Sequence, residues 1–200
     1  MPHDGTLLVM VPGAGIAAGD FAVEGLFPGT AALFSAVAVD PGMDSYLDGS
    51  VERRLLAGID EARHAAGAAR VWLAGISLGC QGILRCIRQR PGLADGIILL
   101  TPYLASTGVI AEIAQAGGLR RWTPATPDPE RALLAWLAAT PPAALPRIVL
   151  GRARADRFAA TATLLADLLP PDAIVSVPGG HDWASWRALW RLVLDRRPFA

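Results

Sequence analysis

The chain has 200 residues, 52% of them apolar, and its 18 arginines balance 18 acidic residues to a formal charge of zero. This length suits one domain with a single sizeable core, so we expect residues 1–200 to fold together. The neutral balance and the lack of a basic run argue against a nucleic-acid partner or an acidic membrane surface. Because the chain contains no lysine, Schiff-base chemistry, a P-loop and a Ser–Lys dyad are excluded.

Targeting segments and metal-ligand clusters are not found in the sequence. The first residues carry no basic region ahead of a short apolar run, and no apolar stretch has the length of a membrane span. Cys80 and Cys86 lie in one predicted helix on different faces, so we expect two buried thiols and no disulfide. We therefore expect a cytoplasmic protein without a bound metal or cofactor.

Short apolar runs alternate with helix-period segments along the chain. Each strand candidate is almost continuously hydrophobic, as strands covered on both faces should be. This alternation predicts an α/β fold with a doubly wound, mostly parallel, six-stranded sheet and helices on both faces. In chain order, the predicted elements are strand Thr6–Val11, strand Ser35–Val39, helix Ser50–Ala66, strand Arg70–Ala74, helix Leu78–Arg88, strand Gly96–Thr101, helices Ser106–Ala116 and Pro129–Ala139, strand Arg147–Leu150, helix Phe158–Leu169, strand Ala173–Val177 and helix Trp183–Leu194.

The connection formed by residues 102–146 is too long for a simple crossover between parallel strands. A Gly-Gly break at 117–118 and several prolines divide it into two helical patterns. Long connections in compact domains are often functional. The segment is therefore either a small helical lid over a site or a pair of packing helices.

The segment Gly75-Ile76-Ser77-Leu78-Gly79 joins a predicted strand to a predicted helix and has the strongest functional pattern. A G-x-S-x-G turn at such a junction exposes its serine hydroxyl on a strained backbone turn that only small flanking residues permit. Ser77 is therefore the predicted nucleophile.

A serine hydroxyl needs a base within hydrogen-bonding reach, and the chain offers three histidines. His3 precedes the first strand, and His64 lies in a polar helical segment that is typical of a solvated surface. His181 follows the last predicted strand, which places it at the same carboxyl edge of the sheet as Ser77. His181 is therefore the predicted base.

The base in turn needs a carboxylate that fixes its tautomer. Asp156 follows the fifth predicted strand, so its loop neighbours the loop of the base if the last two strands are adjacent. Asp182 is a rival because it is next to the base in sequence, but adjacent side chains diverge and Asp182 is better placed to cap the last helix. Asp128 and Asp172 are interpreted as capping and turn residues. Asp156 is the predicted acid.

An oxyanion intermediate needs two preset N–H donors. The Leu78 N–H, directly after the nucleophile at a helix start, is the first predicted donor. The turn after the first strand, Val11-Pro12-Gly13-Ala14-Gly15, should supply the second, because its glycines let the backbone approach a substrate closely. The Ala14 N–H is the predicted second donor.

The chain resembles the alpha/beta-hydrolase fold superfamily, and within it small bacterial esterases. The order Ser77, Asp156, His181 is the order of nucleophile, acid and base in that superfamily. The segment Val39-Asp40-Pro41-Gly42-Met43-Asp44-Ser45 is similar to its D-x-P-G-x-G-x-S loop, with Asp44 in place of a glycine. The resemblance implies hydrolysis of an ester or thioester through an acyl-enzyme.

The last motif of the resemblance is Gly179-Gly180-His181-Asp182-Trp183, which is similar to the G-H-x-W ending of some small bacterial esterases. Pro12 departs from the pattern, because many members have the histidine of an H-G oxyanion motif there. The two antiparallel leading strands of the family also have no room before Thr6. The resemblance therefore implies a shortened, six-stranded sheet.

Two other functions are weighed against hydrolysis. Gly13-Ala14-Gly15-Ile16-Ala17-Ala18 also matches the G-x-G-x-x-A turn of an NAD(P)-binding oxidoreductase, with Asp40 as the ribose-binding acid. The many glycines after it suit a loop better than a phosphate-facing helix. The other alternative is a hydrolase fold that binds a ligand without chemistry.

The substrate cavity should lie above the carboxyl edge of the sheet, between the Gly13–Phe27 loop and the 102–146 segment. Phe21 and Leu26 are the predicted acyl-pocket residues. With few charges nearby, the partner should be a small neutral or hydrophobic ester or thioester, bound by a monomer or a homodimer. The reservation is the pair Arg120 and Arg121, which could bind an anionic substrate group.

Overall fold

Six parallel strands form one sheet at the centre of the computed structural model, which describes residues 5–27, 34–126 and 128–199. The strand order is β2-β1-β3-β4-β5-β6, and each neighbouring pair is parallel. From β1 the chain continues to β2 on one side of β1 and then returns to β3 on the other side. The direction of strand addition therefore reverses between β1 and β3. Ligands of doubly wound sheets bind at such a reversal. The strands are β1 Thr6–Val11, β2 Ser35–Ala38, β3 Arg70–Ile76, β4 Gly96–Leu100, β5 Arg147–Ala153 and β6 Ile174–Val177.

Helices cover both faces of this sheet. One face packs against α3, α4, α5, α6 and α7, and the other packs against α1 and α8. The helices are α1 Asp20–Val23, α2 Asp44–Asp48, α3 Val51–Ala66, α4 Leu78–Gln89, α5 Thr107–Gln115, α6 Pro129–Ala139, α7 Ala159–Ala166 and α8 Trp183–Asp195, with 3₁₀ turns at Leu119–Arg121, Pro142–Ala144 and Pro171–Ala173. None of the helices within the described ranges has both the length and the apolar character needed to cross a bilayer.

The predicted fold class is confirmed, with differences at the element ends. β3 continues to Ile76 because Ile76 pairs with Leu100 of β4. β5 continues to Ala153 because Ala153 pairs with Val177 of β6. The helices α1 and α2 were not predicted, since four and five residues are too few to show a helical period.

The helices of the 102–146 segment pack on the helices next to the sheet, α6 against α4 and α5 against α7. The segment's helices bury apolar residues in the main core, among them Ile113 of α5 and Leu133 of α6. Asp128 caps α6 by accepting the N–H groups of Glu130 and Arg131, as predicted. Arg131 also donates to Glu112 of α5, which ties the two helices together.

Candidate active site

Ser77 lies at a sharp turn between β3 and α4, with φ 53° and ψ −116°. A positive φ is unfavourable for any residue with a side chain, and it aims the serine side chain away from the helix. The flanking glycines permit the turn. A Cβ on Gly75 would lie 2.7 Å from the Cys80 nitrogen, and one on Gly79 would lie 2.3 Å from the Val11 oxygen.

Backbone hydrogen bonds hold the Ser77 turn against the neighbouring strand. The Ser77 N–H donates to the Leu100 carbonyl at 3.0 Å, and the Tyr103 N–H donates to the Ser77 carbonyl at 3.1 Å. Below the turn, the buried Cys80 thiol donates to the Gly75 carbonyl at 3.1 Å. The serine backbone is therefore fixed by contacts on both sides.

The structure brings the three predicted residues of the catalytic set to hydrogen-bonding distance. His181 Nδ1 lies 2.7 Å from Asp156 Oδ2, and His181 Nε2 lies 2.9 Å from Ser77 Oγ. A carboxylate can only accept, so Nδ1 donates to Asp156 and leaves Nε2 to accept the serine proton. The side chains of Asp156 and His181 are only 2% and 9% exposed, which removes competing water.

Two aromatic rings orient the His181 imidazole, and a second hydrogen bond orients the Asp156 carboxylate. Phe158 and Trp186 meet the His181 ring edge-on, with centroids at 5.0 and 5.3 Å. The Trp186 indole N–H donates to Thr101 Oγ1 at 2.8 Å, and the Phe158 N–H donates to Asp156 Oδ1 at 2.6 Å. These contacts restrain both the His181 ring and the Asp156 carboxylate.

Asp182 has the capping role that the sequence favours. Its Oδ1 accepts the Ser185 N–H at 2.8 Å at the start of α8. Hydrogen bonds from Ser185 lower the pKa of Asp182. The preceding turn is tight, since a Cβ on Gly179 would lie 2.1 Å from Ser185 Oγ. The remaining histidines lie elsewhere: His64 is exposed on α3, and His3 is outside the described residues.

The two predicted oxyanion donors lie on either side of the serine. The turn after β1 packs directly on the Ser77 turn, because a Cβ on Gly13 would lie 2.9 Å from the Ile76 oxygen and 3.0 Å from Ser77 Cβ. Ala14 and Leu78 both line the cavity that opens above Ser77. The two predicted donor residues therefore line the same cavity as Ser77.

The cavity above Ser77 has a volume of about 900 Å³. Its wall is largely apolar and aromatic, as is common in small-molecule sites. The 102–146 segment contributes only part of the wall. The lining residues are Ala14, Gly15, Ile16, Met43, Tyr46, Leu47, Gly49, Ser77, Leu78, Gln81, Arg85, Tyr103, Pro129, Glu130, Arg157, Phe158, His181, Asp182, Trp183 and Trp186.

Phe21 and Leu26 do not reach this cavity, which corrects the predicted acyl pocket. Both are fully buried in the core between the sheet and α8. The Phe21 ring meets Trp183 edge-on at 6.3 Å, and the Leu26 carbonyl accepts the Trp190 indole N–H at 3.0 Å. At these two positions the chain after β1 turns inward beneath α8, so both side chains belong to the core.

Other residues replace them in the wall. Met43, Tyr46 and Leu47, in and just before α2, line the cavity, and none was predicted to do so. Their signal in the sequence was the loop Asp40-Pro41-Gly42 shortly before α2. Trp183, the first residue of α8, also lines the cavity.

The dinucleotide alternative lacks the helix that it requires. After Gly15 no helix begins until Asp20, and that helix has only four residues. A pyrophosphate needs a longer helix that starts at the glycine turn. Within the described ranges, no group of three or more His, Cys, Asp or Glu side chains could hold a metal ion.

No protein-family model and no curated protein sequence matches the chain. Solved structures do match it. An S-formylglutathione hydrolase from Staphylococcus aureus aligns over 94% of this chain and 79% of its own, with a TM-score of 0.65 and 14% identity. A fluorophosphonate-binding serine hydrolase of the same organism aligns over 94% and 82%, with a TM-score of 0.64 and 14% identity. An esterase from Pyrobaculum calidifontis aligns over 96% of this chain and 74% of its own, with a TM-score of 0.60 and 15% identity.

These alignments share the architecture of the sheet and its helices. The chain has the alpha/beta-hydrolase fold, as the order of its motifs predicted. At such low identity the likeness extends to the fold alone, so the chemistry rests on the geometry of the site.

Proposed function

We propose that this protein is a serine hydrolase that cleaves a small neutral or hydrophobic ester or thioester through an acyl-enzyme. The observation that supports it best is the continuous hydrogen-bonded line from Asp156 through His181 to Ser77, which ends at a cavity of about 900 Å³. A serine that served only as a structural residue would not need a strained turn, a buried base and a buried carboxylate together.

In the proposed mechanism, Ser77 Oγ attacks the substrate carbonyl carbon while His181 Nε2 takes the hydroxyl proton. The N–H groups of Ala14 and Leu78 stabilise the oxyanion. The oxyanion collapses, the bond to the leaving group breaks, and His181 returns the proton to the departing alcohol or thiol. Water then attacks the acyl-serine with His181 again as base, which releases the acid and restores the serine.

The charges in the cavity wall favour a neutral substrate. Arg85 is held by Glu52 in a paired contact of 2.7 and 2.9 Å. Glu130 accepts the N–H of Ser106 at 2.9 Å, so its carboxylate is also engaged. Asp182 caps α8, and Arg157 lies over the Phe158 ring. The rest of the wall is mostly apolar, and a neutral ester avoids the cost of desolvating a charge there. We further propose that the 102–146 segment is a small helical lid at one side of this cavity.

Labelling of Ser77 tests the proposal. A fluorophosphonate probe should add one adduct to the wild-type protein, and peptide mapping should find it on Ser77. Ser77→Ala should remove the adduct and lower hydrolysis of neutral p-nitrophenyl esters by several orders of magnitude while the melting temperature is retained. Retention of more than about a tenth of the activity in Ser77→Ala would assign the chemistry to another residue.

The same ester series tests the substrate class. Fast turnover of neutral short acyl chains supports the apolar wall. Activity confined to carboxylate- or phosphate-bearing esters would contradict it and would point to Arg157, which stacks over the Phe158 ring at 4.9 Å in the cavity wall. If the probe does not label the protein and no ester is hydrolysed, the alternative of a non-catalytic binding protein with this fold would be favoured.

A further inference from the structure

A second cavity lies at the edge of the sheet opposite Ser77. It opens at the amino ends of β5 and β6, where α6 and α7 end, and its volume is about 290 Å³. None of its lining residues also lines the cavity above Ser77. It is therefore a separate space, and what it binds is independent of the proposed hydrolysis.

The interior of this second cavity is apolar. Side chains from α6, from α7 and the turn after it, and from the start of β5 line it, among them Leu137, Leu165, Leu168 and Ile148. Removing an aliphatic chain from water into such a space is favourable, because the apolar surface of the chain is buried. Its volume is close to the smallest of the usual small-molecule sites, which begin near about 300 Å³.

Positive charge surrounds the opening of the second cavity. Arg120, Arg147 and Arg196 all line it, whereas Asp172 is the one acidic residue in the lining. The Arg147 guanidinium donates to the Pro198 carbonyl, and that of Arg196 donates to the backbone carbonyl of Asp172.

The three arginines at this opening are exposed. Within residues 5–27, 34–126 and 128–199, none of the three guanidinium groups forms an ion pair with a carboxylate. Each retains further N–H donors, because a guanidinium has five. Such forked donors match the geometry of a carboxylate or a phosphate group.

We propose that the second cavity binds a medium-chain aliphatic carboxylate, with its chain among the leucines and its carboxylate at Arg147 and Arg196. The combination of apolar walls and exposed guanidinium groups fits an amphiphilic anion better than a neutral lipid or a polar anion. A neutral lipid would leave the arginines unused, and a polar anion would leave the apolar wall in contact with water.

Calorimetric titration of the full-length protein with decanoate tests this site. The Ser77-phosphonylated protein is titrated in parallel, so that binding above Ser77 is recognised. We expect one decanoate per chain with and without the phosphonate, and at least tenfold weaker binding of 1-decanol. Arg147→Gln/Arg196→Gln should weaken decanoate binding at least tenfold. The control Arg154→Gln/Arg191→Gln removes the same charge from exposed positions outside the cavity and should change it less than twofold.

Several results would overturn the proposal. Equal affinity for decanoate and 1-decanol would show a purely apolar site, and equal weakening by both double variants would show a general effect of net charge. Loss of binding on phosphonylation would move the ligand to the cavity above Ser77. Ala173→Trp, which adds bulk to the lining, should also abolish binding in a protein with an unchanged circular dichroism spectrum. Full binding in that variant would exclude this cavity.

Discussion

Replacement of Asp156 by asparagine puts an NH₂ group in place of one carboxylate oxygen and reverses the direction of the hydrogen bond to His181. Asp156 Oδ1 accepts the Phe158 N–H at 2.6 Å, and Oδ2 faces His181 Nδ1 at 2.7 Å. In Asp156→Asn the single remaining oxygen stays with the Phe158 N–H, because the amide NH₂ would oppose it there. The NH₂ group then faces Nδ1 and donates to it.

The reversed hydrogen bond disables the base. When Nδ1 must accept, the ring proton moves to Nε2, which lies 2.9 Å from Ser77 Oγ. An imidazole with a proton on Nε2 cannot take the proton of the serine. The loss expected for such a tautomer change is about ten-thousand-fold in kcat, or about 5.5 kcal/mol in activation free energy.

Steady-state hydrolysis of p-nitrophenyl butyrate measures this effect, with Asp182→Asn as the matched control. Asn caps a helix about as well as Asp, so the control should retain the Ser185 N–H contact and lose less than about threefold in kcat. Thermal melts of both variants should stay close to wild type. If Asp156→Asn keeps more than about a tenth of the activity, or if Asp182→Asn is the more damaged variant, the assigned acid is wrong.

Two further predictions concern the close packing of α4, the helix that follows Ser77. Gly79→Ala should destabilise the protein by about 1–3 kcal/mol in urea unfolding, because its Cβ would lie 2.3 Å from the Val11 oxygen. The control Gly108→Ala, in an exposed turn of α5 with nothing within 4 Å, should instead stabilise by about 0.5–1 kcal/mol, and equal effects would refute the packing argument. Burial raises the pKa of the Cys80 thiol and raises that of Cys86 to about 12, so iodoacetamide at pH 8 should label neither thiol until urea unfolds the chain. Labelling of the native protein at the rate of the unfolded chain would contradict this.

The relative placement of Ser77, Asp156 and His181 could be anticipated from sequence for a geometric reason. Each residue follows a buried apolar strand, and all parallel strands end at one edge of the sheet. The order of these residues in the chain therefore carries information about their distance in space. The same reasoning brought the turn at Ala14 to the serine, because β1 is the neighbour of β3.

The cavity wall could not be anticipated in the same way. Phe21 and Met43 are both apolar residues in connections after strands, yet Phe21 is fully buried and Met43 is 49% exposed. Which of them faces the cavity depends on the path of each connection over α8 or α4. Short helices such as α2 have no detectable period, and tertiary packing decides their orientation.

The strained backbone at Ser77 has a consequence for the evolution and engineering of this chain. Ser77 and Thr101, at the ends of adjacent strands, both have positive φ, 53° and 43°, which costs about 1–3 kcal/mol each for residues with side chains. A glycine at position 77 would relax the first of these strains and remove the hydroxyl in the same step. Under the proposed mechanism, selection for heat resistance alone would therefore favour inert versions of the protein, so a directed-evolution screen has to score turnover and stability together.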